Sequence, residues 1–135
     1  MLRKNAKVAL IADVPLFANC SKRELAEIAS LADELAVPAG KKLTSQGALG
    51  HEFVVIAEGA AEVRRNGRVV NRLRAGDFLG EVALVTGQKR TATVTTTEPS
   101  RILVLTARDF RTLLRDLPSL QLKVLDAVAT RLPAE

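Results

Sequence analysis

Apolar residues recur at two different periods along the chain, and the change from one to the other divides it into three stretches. Leu25, Ile28, Ala32 and Leu35 repeat at helical spacing behind Ser21-Lys22-Arg23-Glu24. In that tetrad the serine can accept from a free amide of the first turn while the glutamate reaches back to the cap, so a helix starts there. Pro38-Ala39-Gly40 closes the segment, and the stripe places the helix end near Leu35. Ahead of it, Val8 to Ala12 predicts a short leading helix. From about residue 36 to 105 the texture becomes short β-branched runs separated by glycine-bearing turns: Phe53-Val54-Val55-Ile56, Glu62-Val63-Arg64, Val69-Val70, Thr91 to Thr97 and Ile102 to Leu105. Such spacing predicts antiparallel strands rather than parallel βαβ units. Asn66-Gly67 lies between two of the runs and predicts a two-residue hairpin, because both positions of its turn need positive φ.

Helical spacing returns at Thr106, which stands three residues before Asp109 as a cap; Phe110, Leu113, Leu114 and Leu117 then form one stripe. Pro118 interrupts, and Ser119 is expected to cap a last helix. Its Leu122, Leu125, Ala129 and Leu132 line one face and Leu120, Val124, Ala127 and Val128 a second, so it is expected to pack on two things. The fold class that follows is mainly β with flanking helices. A single domain fills residues 1–135: N-terminal helices over 1–35, a small antiparallel β-roll or jelly roll over 36–105, and two C-terminal helices over 106–135.

Composition narrows the function. With 135 residues there is room for one domain. The longest run without a charged residue, Leu43 to His51, is far too short for a membrane span, and Val8 to Ala12 is too short for a signal sequence. One cysteine, Cys20, and one histidine, His51, leave no ordinary zinc spacing and point to a reducing, cytoplasmic location. The same count leaves no metal cluster and no nucleophile with its base, so a non-enzymatic role without a cofactor is expected. The net charge of +5 favours an anionic partner. Arg64, Arg65, Arg68, Arg72 and Arg74 crowd into one acid-free stretch, readable as a phosphate-binding stripe or as the solvated outer face of the hairpin.

Candidate chemistry gathers between residues 76 and 94. A glycine-bounded apolar run, Glu81 to Val85, is long enough for about one helical turn. A helix start leaves amides unpaired and attracts anions, so residues 80 to 83 are candidate donors. Arg90 can fold back over the same turn, and its planar fork suits a pair of phosphate oxygens. Glu81 is an acceptor only, which in an anion pocket suits sugar hydroxyls. Amides, an arginine and one carboxylate together describe a sugar phosphate with a free hydroxyl; a plain Glu81–Arg90 ion pair across a loop is the alternative.

Leu79-Gly80-Glu81-Val82-Ala83-Leu84 with Arg90-Thr91-Ala92-Thr93-Val94 resembles the phosphate-binding cassette of the cyclic nucleotide-binding domain family, whose pattern is Phe-Gly-Glu, an apolar stretch and Arg-x-Ala before a strand. Val14-Pro15-Leu16-Phe17, Val37-Pro38-Ala39-Gly40, the segment from Gly47 to Gly59 and Gly76-Asp77-Phe78 fall in family order, so the resemblance covers residues 14 to 132. It implies a cassette over 79–92 with Leu79, Gly80, Glu81, Val82, Ala83, Arg90, Thr91 and Ala92 as ligand-binding residues. Glu81 would take the ribose 2′-hydroxyl, Arg90 the cyclic phosphate, and amides near Val82, Ala83 and Thr91 would complete the cradle. The last helix would act as a lid. The ligand implied is cyclic AMP or cyclic GMP, with cyclic AMP slightly favoured and Thr91 compatible with either. The chain departs from the pattern at Leu79, at Lys89 in place of a frequent proline, and at His51 in place of a frequent aspartate. The partner implied is an effector domain or protein outside this chain. A β-roll interaction module that has lost nucleotide binding is the alternative, and no DNA-binding module is expected because the chain stops at Glu135.

Overall fold

The computed structural model describes residues 2–131. Helix α1, Leu2–Ala12, leads through a 3-10 turn at Pro15–Phe17 to helix α2, Lys22–Leu31. The capping box closes as the sequence requires: Glu24 N donates to Ser21 Oγ at 3.2 Å and Ser21 N donates to Glu24 Oε1 at 2.8 Å. The helix ends four residues before the point its stripe suggested. Ala32 is extended, and Asp33–Val37 form strand β1. Leu35 consequently lies opposite Ile102 and is 47% exposed, where the stripe predicted a buried helical position. Five paired residues against a neighbouring strand, with Arg101 bridging Glu34 and Glu58, outweigh a local periodicity that either structure can satisfy. The helical segment therefore gives way to strand at residue 33 rather than 36.

Strands β2 (Lys42–Thr44), β3 (Glu52–Glu58), β4 (Ala60–Arg65), β5 (Arg68–Arg74), β6 (Phe78–Leu79), β7 (Thr93–Thr96) and β8 (Ser100–Thr106) complete two antiparallel four-stranded sheets, in the orders β1-β8-β3-β6 and β2-β7-β4-β5. Asn66 and Gly67 turn β4 into β5 at φ 55° and 81°, the left-handed pair that a two-residue hairpin demands. Side chains show why β3 and β8 read as unbroken apolar runs. Val54, Ile56, Ile102 and Val104, with Leu79 of the same sheet, face the second sheet, where they meet Ala61, Leu73 and Val94. Phe53, Val55, Leu103 and Leu105 face the helices, so the two central strands of this sheet are buried on both sides.

Helix α3, Glu81–Thr86, occupies the connection from β6 to β7; α4, Ala107–Asp116, and α5, Pro118–Arg131, follow β8. Thr106 Oγ1 accepts from Asp109 N at 3.1 Å, which sets the start of α4. Phe110 stacks on Phe53 with ring centroids 4.3 Å apart and ties α4 to β3. Helix α5 begins at Pro118 itself and not behind a Ser119 cap, because a proline lacks the amide that the first helical position leaves unpaired. It buries Leu120, Val124 and Val128, whereas Leu122 is 73% and Leu125 56% exposed. The face bearing Leu122, Leu125 and Ala129, also expected to pack, is therefore open over the described residues, and Leu132 lies outside them. Among the described residues no helix is long and apolar enough to cross a membrane.

Candidate functional site

The turn from β6 into α3 is built on one backbone position. Gly80 has φ +98°, and a Cβ there would lie 2.6 Å from the Glu52 carbonyl oxygen and 2.6 Å from Arg90 Nη1. Only glycine both adopts this conformation and leaves space for the arginine beneath it. Leu84 N then reaches Gly80 O at 3.4 Å, which begins α3. Residues Glu81, Val82 and Ala83 occupy its first turn, where amides have no acceptor within the helix. Leu79 precedes them on β6, opposite Val54, and sends its side chain into the core between the sheets rather than toward the turn.

Arg90 returns to the same place from ten residues further along. It is 9% exposed; Nη1 donates to Gly80 O at 3.0 Å and Nη2 to Glu52 O at 2.6 Å. These bonds engage two of the five donors of a guanidinium. Burial lowers its pKa, while the nearby charges of Glu52 and Glu81 act in the opposite direction. A guanidinium stays charged under such a shift. Glu81 is itself only 1% exposed. A buried carboxylate and a buried cation thus lie near enough for the charge of Glu81 to act on Arg90, beside the Gly80 turn.

The chain leaving Arg90 is held carbonyl by carbonyl. Gly47 N donates to Arg90 O at 2.9 Å, Arg65 Nε to Thr91 O at 3.1 Å and Thr44 Oγ1 to Ala92 O at 3.0 Å. Arg90 N in turn donates to Ala48 O at 2.8 Å, and Gln46 N to Thr93 Oγ1 at 2.9 Å. Ala92 is buried and Thr91 half-buried. Of the expected residues, Gly80 and Arg90 are brought into contact with Glu81 beside them, whereas Thr91 and Ala92 are held by Arg65 and Thr44 and the Leu79 side chain lies in the core between the sheets.

Glu52 and Arg65 also contribute, though neither was among the residues expected for the cassette. Glu52 acts through its carbonyl, a group every residue carries, so no sequence signal exists for it. Arg65 did carry a signal: counting by twos from Ala61 puts Val63 and Arg65 on the same face of β4. The other arginines of the stripe, Arg64, Arg68, Arg72 and Arg74, are exposed, as a solvated hairpin face requires. His51 is exposed, and its carbonyl accepts from Ala107 N at 2.8 Å. Cys20 is half-buried, and burial raises its thiol pKa, which disfavours the reactive thiolate. No group of three or more His, Cys, Asp or Glu residues is placed to hold a metal ion among the described residues.

Comparison with known proteins gives the geometry its context. The family model for the cyclic nucleotide-binding domain matches residues 34–116. A cAMP-dependent protein kinase regulatory subunit from Mycosarcoma maydis is 40% identical over 101 residues, 70% of this chain and 19% of its own length. A cyclic nucleotide-gated potassium channel from Rhizobium etli is 36% identical over 111 residues, 82% of this chain and 31% of its own. The chain spans about a fifth to a third of the length of these curated relatives. In fold it is similar to the regulatory domain of Toxoplasma gondii PKA with cAMP, with a TM-score of 0.82 and 23% identity over 93% of this chain and 50% of that one. It is equally similar to the regulatory subunit of a cAMP-independent protein kinase A from Trypanosoma brucei, with a TM-score of 0.84 and 19% identity over 96% of this chain and 47% of that one.

Proposed function

The chain belongs to the cyclic nucleotide-binding domain family, and on that premise we propose that residues 79–92 hold the phosphate and ribose of a cyclic nucleotide as the input of a regulatory switch. The observation that carries this reading is the meeting of Arg90 with the Gly80–Glu81 turn, at 3.0 Å and out of solvent. Arg90 takes the cyclic phosphate: its charge is already desolvated, and a phosphate oxygen makes a stronger partner for a guanidinium than the neutral carbonyls of Gly80 and Glu52. Glu81 accepts from the ribose hydroxyl, and amides of Val82, Ala83 and Thr91 complete the cradle. Leu79 anchors the entry to the turn from the core between the sheets, and buried Ala92 anchors the chain that leaves Arg90.

The output side of the reading follows from packing. Helix α5 lies against α3, against α4 and against the 3-10 turn, where Lys123 Nζ donates to Pro15 O at 2.6 Å. A ligand that reseats α3 changes the surface on which α5 rests. It moves the C-terminal helices only to the extent that it binds the two arrangements differently. The effector lies beyond this chain, as the much longer kinase and channel relatives suggest, and a reducing cytoplasm is the compartment of the proposal. Cyclic AMP is slightly favoured over cyclic GMP, with Thr91 compatible with either.

A second reading, a β-roll interaction module without nucleotide binding, has two observations in its favour: Arg90 already has two acceptors, and a close structural neighbour is described as cAMP-independent. Calorimetric titration of the 135-residue chain with cyclic AMP and cyclic GMP separates the two. Binding is expected, with a loss of about 2–5 kcal/mol in Arg90→Ala, the scale for removing one partner of a desolvated charged contact. A nucleotide at 100 times its dissociation constant should also add about 2.7 kcal/mol of stability. No heat and no thermal shift with either nucleotide would establish the second reading, while equal affinity in the variant would remove Arg90 from the site.

A further inference from the structure

We propose that Arg65 is a positioning residue of the nucleotide site, and that the tip of the β4–β5 hairpin is thereby part of that site; this rests on the reading of residues 79–92 given above. The backbone ladder between β4 and β7 pairs Ala61 with Thr96, Glu62 with Thr95, Val63 with Val94 and Arg64 with Thr93, and goes no further. Where backbone pairing stops, the Arg65 side chain takes over by donating from Nε to Thr91 O at 3.1 Å. The bond is partly buried, in contrast to the contacts of Arg64 with Glu62 and Gly67 on the exposed face.

Three consecutive carbonyls after α3 are held from outside the segment. Donors for those of Arg90 and Ala92 come from Gly47 and Thr44, on the β2 side; the donor for Thr91 comes from the hairpin. A trans peptide points its carbonyl and its following amide in opposite directions. Fixing Thr91 O toward Arg65 therefore fixes the plane of the 91–92 peptide, the second peptide after the arginine assigned to the phosphate. The hairpin is not free to drift away from this contact. Gln46 Nε2 donates to Asn66 Oδ1 and Asn66 N donates to Gln46 Oε1, both at 2.8 Å, so the tip is pinned to the same loop that holds Arg90. Loop, hairpin and cassette form a closed ring in which Arg65 is the link that carries charge.

Arg65→Met keeps the length of the side chain and removes the donor, and Arg65→Lys restores a donor and the charge. Cyclic AMP and cyclic GMP affinities of the wild type and both variants are measured by calorimetry, alongside melting temperatures without ligand and amide shifts of ligand-saturated samples. Arg65→Met should bind about tenfold more weakly, the scale of one charge-assisted hydrogen bond. Its melting temperature should stay within about 3 °C of wild type, as for a surface substitution. Its bound-state amide shifts should change at Thr91 and Ala92 but not at Val82 and Ala83, and Arg65→Lys should recover most of the lost affinity. Wild-type affinity in Arg65→Met, or a loss that follows the melting temperature and is not recovered by lysine, overturns the positioning role alone. Absence of nucleotide binding in the wild type overturns the proposed function and this inference together.

Discussion

Replacing Gly80 by alanine tests the construction of the site at its narrowest point, and the cost can be worked from two separate terms. A non-glycine residue at φ +98° carries about 1–3 kcal/mol of backbone strain. The new Cβ also meets Arg90 Nη1 and Glu52 O, each at 2.6 Å. The guanidinium is the far end of a flexible side chain and can withdraw, giving up its bond to Gly80 O. The Glu52 carbonyl cannot: it belongs to β3, whose Glu52 pairs with Thr106 of β8, the other central strand of its sheet. Relief must come from shifting packed backbone, a cost of about 1–3 kcal/mol. The sum is about 2–6 kcal/mol, and at roughly 3–5 °C per kcal/mol for a chain of this size it lowers the melting temperature by at least about 6 °C. Gly67→Ala is the control, since its φ is +81° and an added Cβ there has nothing within 4 Å; it carries the backbone term alone. Thermal unfolding followed by far-ultraviolet circular dichroism compares the two, and nucleotide titration follows at a temperature where both are folded. Gly80→Ala should melt below Gly67→Ala and lose nucleotide affinity. If it melts no lower and binds as wild type does, the close approach of Gly80, Glu52 and Arg90 does not build the site.

Phe110→Ala removes the ring stacked on Phe53 and should cost about 3–5 kcal/mol in urea unfolding, the usual range for a buried aromatic; a loss below 1 kcal/mol would mean that α4 is not anchored to β3 through this pair. Cys20 has its thiol pKa raised by burial first and by Glu24 second, with Lys123 opposing, so at pH 8 the folded chain should be alkylated by iodoacetamide more slowly than the urea-unfolded chain. The linked stability has a definite sign: the folded state keeps its proton to higher pH, so the contribution is present below the ordinary thiol pKa and is lost as pH rises through the folded one. Alkylation of the folded chain at the unfolded rate would contradict a half-buried thiol.

Three kinds of information were legible before any coordinates, and each is local. The capping box at Ser21 and the cap at Thr106 depend on groups three residues apart, and the Asn66-Gly67 turn depends on the conformations two residues prefer. The proposed cassette was marked out by resemblance to a family pattern, a Gly-Glu pair, a short apolar run and an arginine nine residues after Glu81; their spacing alone left a plain ion pair open.

Tertiary structure decided what depends on partners distant in the chain. Leu35 fits a helical stripe and a strand equally well by itself, and the pairing of β1 with β8 chose the strand. The two apolar faces of α5 look alike in sequence, but α3, α4 and the 3-10 turn cover only the one bearing Leu120, Val124 and Val128. The seat of Arg90 on the Glu52 carbonyl, and the reach of Arg65 to Thr91, join residues 38 and 26 positions apart through backbone oxygens that any side chain could have accompanied. Residue types and their spacing specify which conformations a segment prefers; which carbonyl lies within 3 Å of a guanidinium is set by how the sheets stack, and that is a property of the whole chain.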